Sequence, residues 1–201
     1  MSNIFISWVT TLDKTLGVLL VFWPSREQVI STKPARYRHL MNLINIMDCS
    51  EVLLETTKNM DLQFMTWSDY KHHNSLKLLI SVAPNSDITY VFPLYCGILD
   101  KALTNDYGCL VLVEPYDEIM VDKGFMIHKE CEAHFVTLNI SPGKRGTAQI
   151  SVNDLNQTNQ VPNIIILVEQ VIRRVKRFRI LKYEMSISLI GLSDKIYILL
   201  V

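Results

Sequence analysis

The chain has no excess of charge: twenty Lys and Arg balance twenty Asp and Glu, so composition alone points to no class of partner. It has only four cysteines, Cys49, Cys96, Cys109 and Cys131, none in C-x-x-C spacing. That excludes a zinc-ribbon ligand set and the disulfide framework of a small secreted domain, and leaves reduced, mostly buried thiols as the expectation. It has no apolar run long enough to span a bilayer. Gly17 to Trp23 is too short, and Ile187 to Val201 is broken by Asp194 and Lys195. No basic segment precedes an apolar stretch near the start, no segment repeats, and none is of low complexity. A soluble protein without membrane contact is expected.

What is present is apolar mass. Hydrophobic residues make up 49% of 201 positions, enough to bury a sizeable core in one domain with a small appendage. Charge is segregated along the chain. Acidic residues gather from Asp48 to Asp61 and from Glu114 to Asp122, and basic ones late, at Lys144, Arg145, Arg173, Arg174, Lys176, Arg177, Arg179 and Lys182. A neutral total can therefore hide a basic surface beside an acidic pocket.

Ile4 to Phe22 reads as a helix-containing lead-in. Leu43 to Leu54 reads as a buried strand interrupted by Asp48 and Glu51. Leu76 to Val82 and Ile88 to Tyr95 flank Pro84-Asn85-Ser86-Asp87, which predicts a hairpin. Asp100 caps a predicted helix through Leu103, Tyr107, Leu110 and Val111. Ile119 to Val121 is a short strand, Lys123-Gly124 turns into a short helix, and Phe135 to Ile140 is a further strand. Ser151 and Asp154 open a helix that Pro162 should break or kink. Beyond it, Ile164, Val168, Val171, Ile172, Val175 and Phe178 recur at helical spacing. Three leading strands followed by alternating helices and strands predict a mixed α/β sheet covered by helices.

Three carboxylates stand out. Asp48 sits inside Ile46-Met47-Asp48-Cys49, where an unpaired buried charge costs on the order of several kcal/mol and so needs a cation, hydrogen bonds or an open strand end. Asp122 ends a short apolar strand, and ligands of α/β sheets gather at the carboxyl ends of strands. Glu169 lies at the edge of the last helical stripe. Each also has an ordinary explanation: a strand residue with a lysine or backbone partner, a turn-opening Asp before Lys-Gly, and an i,i+4 pair with Arg173. Two hard divalent cations require oxygen ligands from separate elements converging on one pocket for phosphodiester cleavage, and two strand-borne aspartates with one helix-borne glutamate meet that requirement if the strands are neighbours. The adjacent His72 and His73 do not read as a metal pair, because neighbours on a strand point to opposite faces. A structural or DNA-facing role is expected for them.

Several motifs carry a family resemblance. Asp48-Cys49-Ser50-Glu51 resembles the D-C-T-E motif on the first strand of PIF/Harbinger-type DDE nucleases. Trp67-Ser68-Asp69-Tyr70-Lys71-His72-His73-Asn74 resembles their W-S-x-Y-K-H-H-N block, and Val121-Asp122-Lys123-Gly124-Phe125 their A-D-R-G-F. The stretch Val168-Glu169-Gln170-Val171-Ile172-Arg173-Arg174-Val175-Lys176 is similar to H-V-E-R-x-I-G-R-x-K, and Trp23-Pro24-Ser25-Arg26-Glu27 to a segment preceding the catalytic domain.

The resemblance implies an RNase H-like fold: a helical lead-in over 1–40, a nuclease domain over 41–185 and a C-terminal tail over 186–201. It implies catalytic metal ligands at Asp48, Asp122 and Glu169 for Mg²⁺ or Mn²⁺. Asp100, aligned with an S-D-K block, is either an accessory ligand or the helix cap. DNA is the implied substrate, cut at element ends and joined to a target. Lys123, Arg173, Arg174, Lys176 and Arg177 are the candidate phosphate contacts, unless that helix face is simply solvated. A separately encoded Myb-like DNA-binding protein, a nuclear or partly cytoplasmic location, and homo-oligomerisation are further expectations. The sequence departs from the pattern at Leu167, where the family has histidine, at Gln170 and Arg173, where it has arginine and glycine, and at Lys123, where it has arginine. Three readings follow: an endonuclease; a catalytically inactive, domesticated or decayed domain that binds DNA or protein without cutting; or a non-functional translated remnant.

Overall fold

The computed structural model describes residues 2–17, 19, 21–95, 109–122, 125, 127–140 and 152–201, without the side chains of 109 and 152–163. Its centre is β1, Leu43–Leu53, buried through its first five residues and half-open from Asp48 to Glu51. A strand apolar on both faces must be covered on both, and it is. β3, His73–Val82, runs antiparallel to β1, and β5, Glu118–Val121, runs parallel to it on the other side. β6, Thr137–Ile140, continues the sheet parallel to β5. On the outer edge of β3 lie β2, Trp67–Ser68, at one end and β4, Ile88–Val91, at the other. The order is β2-β3-β1-β5-β6, with β4 paired to β3.

Strand alternation sorts the core into two layers. Ile46, Val52, Leu76, Leu78, Ile80 and Met120 face a long helix, α5, Val152–Val175, which adds Ile164, Val168, Val171 and Val175. Met47, Leu79, Ile119 and Val121 face the other way, towards Leu110, Phe125, Ile127, Cys131 and Val136 around α4, His128–Ala133. The result is a mixed α/β sheet flanked by helices, consistent with an RNase H-like fold.

The hairpin is present. Its turn is closed by Ala83 N–H to Asp87 O at 2.8 Å, with Ser86 at φ 76°, and its second strand stops at Val91. Beyond it, Phe92 N–H donates to Leu79 O at 3.1 Å, and Lys77 and Tyr95 form an isolated bridge. Two expectations are modified. α5 runs through Pro162 without a break. Burial of its stripe from Ile164 onward outweighs the roughly 3 kcal/mol cost of one proline inside a helix. The strand expected from Phe135 begins at Thr137, because Phe135 sits exposed in a left-handed turn at φ 57°. The C-terminal tail over 186–201 carries structure of its own. After the short α6, Arg179–Lys182, Ser193–Leu200 forms α7, whose Tyr197 is fully buried in the α5 layer, and Asp194 Oδ1 accepts Leu94 N–H at 2.6 Å. The Asp100-capped helix lies outside the described residues, apart from the short turn Cys109–Leu112.

The lead-in is tied to the sheet. α1, Asn3–Leu12, packs on α7. α2, Arg26–Thr32, starts with a capping box between Ser25 and Gln28. Its Arg26 donates to Asn42 Oδ1 at 3.0 Å and pairs with the buried Asp117 at 3.1 Å. That Asp117 oxygen lies within ion-pair distance but off the hydrogen-bonding direction. Among the described residues, no helix is long and apolar enough to cross a membrane.

Candidate active site

The parallel register between β1 and β5 sets Met47 opposite Val121. The next residues along each strand, Asp48 and Asp122, therefore come side by side where β5 stops and β1 continues. Asp48 is half-buried, and its Oδ1 accepts Cys49 N–H at 2.7 Å. Asp122 is exposed, and its carbonyl accepts Phe125 N–H at 3.2 Å. Both line a cavity of about 560 Å³, together with Glu51, Tyr70, Lys71 and Lys77.

Each wall has a local cause. Glu51 faces Lys77 across the β1–β3 ladder. Its carboxylate accepts Ser68 Oγ at 3.1 Å and Ser75 Oγ at 2.8 Å, which braces the β2 turn against β1. Tyr70 and Lys71 belong to that turn, where Ser68 Oγ accepts Lys71 N–H at 3.2 Å and His72 takes φ 51°. His73 opens β3, with Nδ1 2.9 Å from Asn74 O and Nε2 3.2 Å from Glu184. His72 thus sits in the turn, and His73 contacts Asn74 and Glu184.

The residue just after α5 is a lysine at the site. Lys176 Nζ donates to Ser50 Oγ at 2.6 Å and to Glu51 O at 2.7 Å. Burial holds its ammonium below the ordinary lysine range, and Lys71 nearby lowers it further, while Glu51, Asp48 and Cys49 act in the opposite sense. Lys176, expected on DNA, is engaged with β1.

Glu169 is exposed on α5 and does not line the cavity. Arg173, Arg174 and Arg177 are exposed as well, and Arg174 lines a separate cavity of about 710 Å³ beside α2 and the hairpin turn. Asp100 and Lys123 lie outside the described residues. The structure therefore places two of the three expected ligands on one cavity, and the third is not among its lining residues. Among the described residues, no group of three His, Cys, Asp or Glu is placed to hold a metal.

The donor set still fits one hard cation. Mg²⁺ is commonly held by one or two carboxylates with substrate phosphates and water completing its shell, and Asp48 and Asp122 supply two oxygen donors at an open strand end. Sequence reasoning missed Lys77 as part of the site. Its signal was a single charge interrupting the apolar run of β3.

Residues 47–201 match the model of the DDE superfamily endonuclease family. No curated protein and no solved structure matches the chain. The match begins one residue before Asp48 and runs through Asp122, Glu169 and α7. The chain belongs to the DDE superfamily endonuclease family.

Proposed function

We propose that this domain cleaves DNA phosphodiester bonds with a divalent cation, Mg²⁺ or Mn²⁺, held by Asp48 and Asp122. The observation that carries this reading is the Met47–Val121 register, which places both aspartates on one cavity at the end of β5. A cation bound there would polarise a phosphoryl oxygen and make a bound water acidic enough to attack. The chain's own residues do the rest. Asp48 and Asp122 hold the charge in place. Lys71 and Lys77 on the cavity wall draw the phosphate backbone in and offset its repulsion from the carboxylates. Lys176 ties α5 to the β1 segment that follows Asp48 and so positions that aspartate.

Glu169 stands outside the cavity, and this reading gives it no ligand role. The same observation favours a second reading, a domain that binds nucleic acid without cutting it.

The test is magnesium-dependent nicking of duplex DNA by the wild type beside Asp122→Asn. Cleavage by the wild type alone supports the endonuclease. Equal residual cleavage in both, or none in either with DNA binding intact, gives the non-catalytic reading.

A further inference from the structure

The lip of the aspartate cavity is aromatic and cationic. Tyr70 lines the cavity and yet is 81% exposed, and Lys71 Nζ lies 4.8 Å from its ring centroid. A single exposed ring is ordinary on a protein surface. This one sits on a turn that is built stiffly. Asn59 caps the short helix α3, Met60–Thr66, and Asn74 Nδ2 donates to Gln63 O at 2.8 Å and to the buried Thr66 Oγ1 at 2.7 Å. Ser68 joins the turn to Glu51 on the cavity wall. The ring is thus held in water at the mouth of the site by a hydrogen-bonded frame that does not need it.

A water-exposed tyrosine face beside an ammonium matches a nucleotide: a base stacks on the ring and the adjoining phosphate meets the lysine. Paired bases expose only their edges in the grooves, because their faces are covered by neighbouring pairs. Only an unstacked base can use the ring. The cavity's volume of about 560 Å³ falls within the range of about 300–1,000 Å³ typical of small-ligand sites, far below what a duplex would fill. A protein partner is the other candidate, since Met60, Phe64 and Met65 are exposed on α3. Those three do not line the cavity, whereas Tyr70, Lys71 and Lys77 do.

We propose that Tyr70 and Lys71 hold an unpaired nucleotide at the mouth of the cavity, so that the preferred substrate is DNA with frayed, mismatched or single-stranded bases beside the phosphate presented to Asp48 and Asp122. This rests on the endonuclease reading for its meaning, but its test does not depend on cleavage. The full chain is titrated, with EDTA present, against a labelled perfect duplex and against the same duplex carrying a short central bubble, and anisotropy is read.

The wild type binds the bubble more tightly. Tyr70→Ala weakens bubble binding by about ten-fold and duplex binding by less than about two-fold, whereas Tyr70→Trp keeps the preference. Lys71→Ala weakens both DNAs and lowers the salt dependence by about one phosphate contact. A wild type without bubble preference, or a Tyr70→Ala variant that loses equally on both DNAs or on neither, overturns the proposal. The same holds if Phe64→Ser, and not Tyr70→Ala, removes the preference, which would assign the surface to α3. If bubble preference survives while magnesium-dependent nicking is absent, the endonuclease reading fails and the nucleotide site stands. The converse separates them equally well.

Discussion

The strand-borne and helix-borne parts of the site are determined by different physics. Asp48 and Asp122 are placed by a hydrogen-bonded ladder. Once Met47 pairs with Val121, each aspartate is fixed to within one residue, because a slip would move every core side chain of β1 to the wrong face. Glu169 is placed by the rotation of α5, and that rotation is set by what the helix buries. Ile165, Val168 and Ile172 are buried against the sheet, and Glu169, one step beyond Val168, is left exposed. Side chains on strands inherit the precision of the register, and side chains on a helix face inherit a compromise made by the apolar stripe.

The largest expected effect separates the two parts directly. Asp48→Asn or Asp122→Asn should each lower magnesium-dependent cleavage by on the order of 10³-fold, whereas Glu169→Gln should cost less than about ten-fold. Single-turnover nicking rates measure both, and a loss for Glu169→Gln as deep as that for the aspartates would break the contrast. Next in size, Ile164→Ala, at a site 1% exposed, should destabilise the fold by about 2–5 kcal/mol in urea unfolding. A cost below about 1 kcal/mol would mean that α5 is not held by its stripe.

On the far side of β5, Arg26→Ala should cost about 2 kcal/mol. That is less than the roughly 3–5 kcal/mol for breaking a fully buried pair, because the arginine side chain is 29% exposed. It should leave the cleavage rate of the folded protein unchanged, and a parallel loss of rate would link the lead-in to the site.

The smallest effect concerns the lysine that joins the two parts. Lys176→Met should remove about 1–3 kcal/mol at neutral pH through the bonds to Ser50 and Glu51. Folding holds the Lys176 ammonium below its ordinary value, so in that window the unfolded chain binds more protons and stability rises with pH through the folded pKa towards the ordinary one. The Met variant should show a flatter rise between neutral pH and about pH 10, read from urea midpoints. An unchanged slope would remove Lys176 as its source.

Much of the fold was legible because it is local. The apolar run of β1, the Pro84-to-Asp87 turn and the stripe from Ile164 onward each announce one element through spacing alone. What was not legible depends on distant contacts. Nothing near Tyr197 says that it lies in the main core, and Pro162 reads as an interruption until the burial of the following turns is weighed against it. The aspartate pair was legible as residue types and motifs, but its adjacency is a property of the β1–β5 register, which links positions more than seventy residues apart. Glu169 had the same motif support, yet rotation of α5 leaves it on the surface. Lys176 looked like one more charge on a basic face, and only the structure ties it to Ser50.

The most direct measurement is calorimetric titration of Mn²⁺ into the full chain and into Asp48→Asn, Asp122→Asn and Glu169→Gln. Cation capture by the strand pair predicts saturable binding in the wild type and in Glu169→Gln, and its loss in both aspartate variants. Saturable binding that survives both aspartate changes, or that vanishes with Glu169→Gln alone, would contradict it.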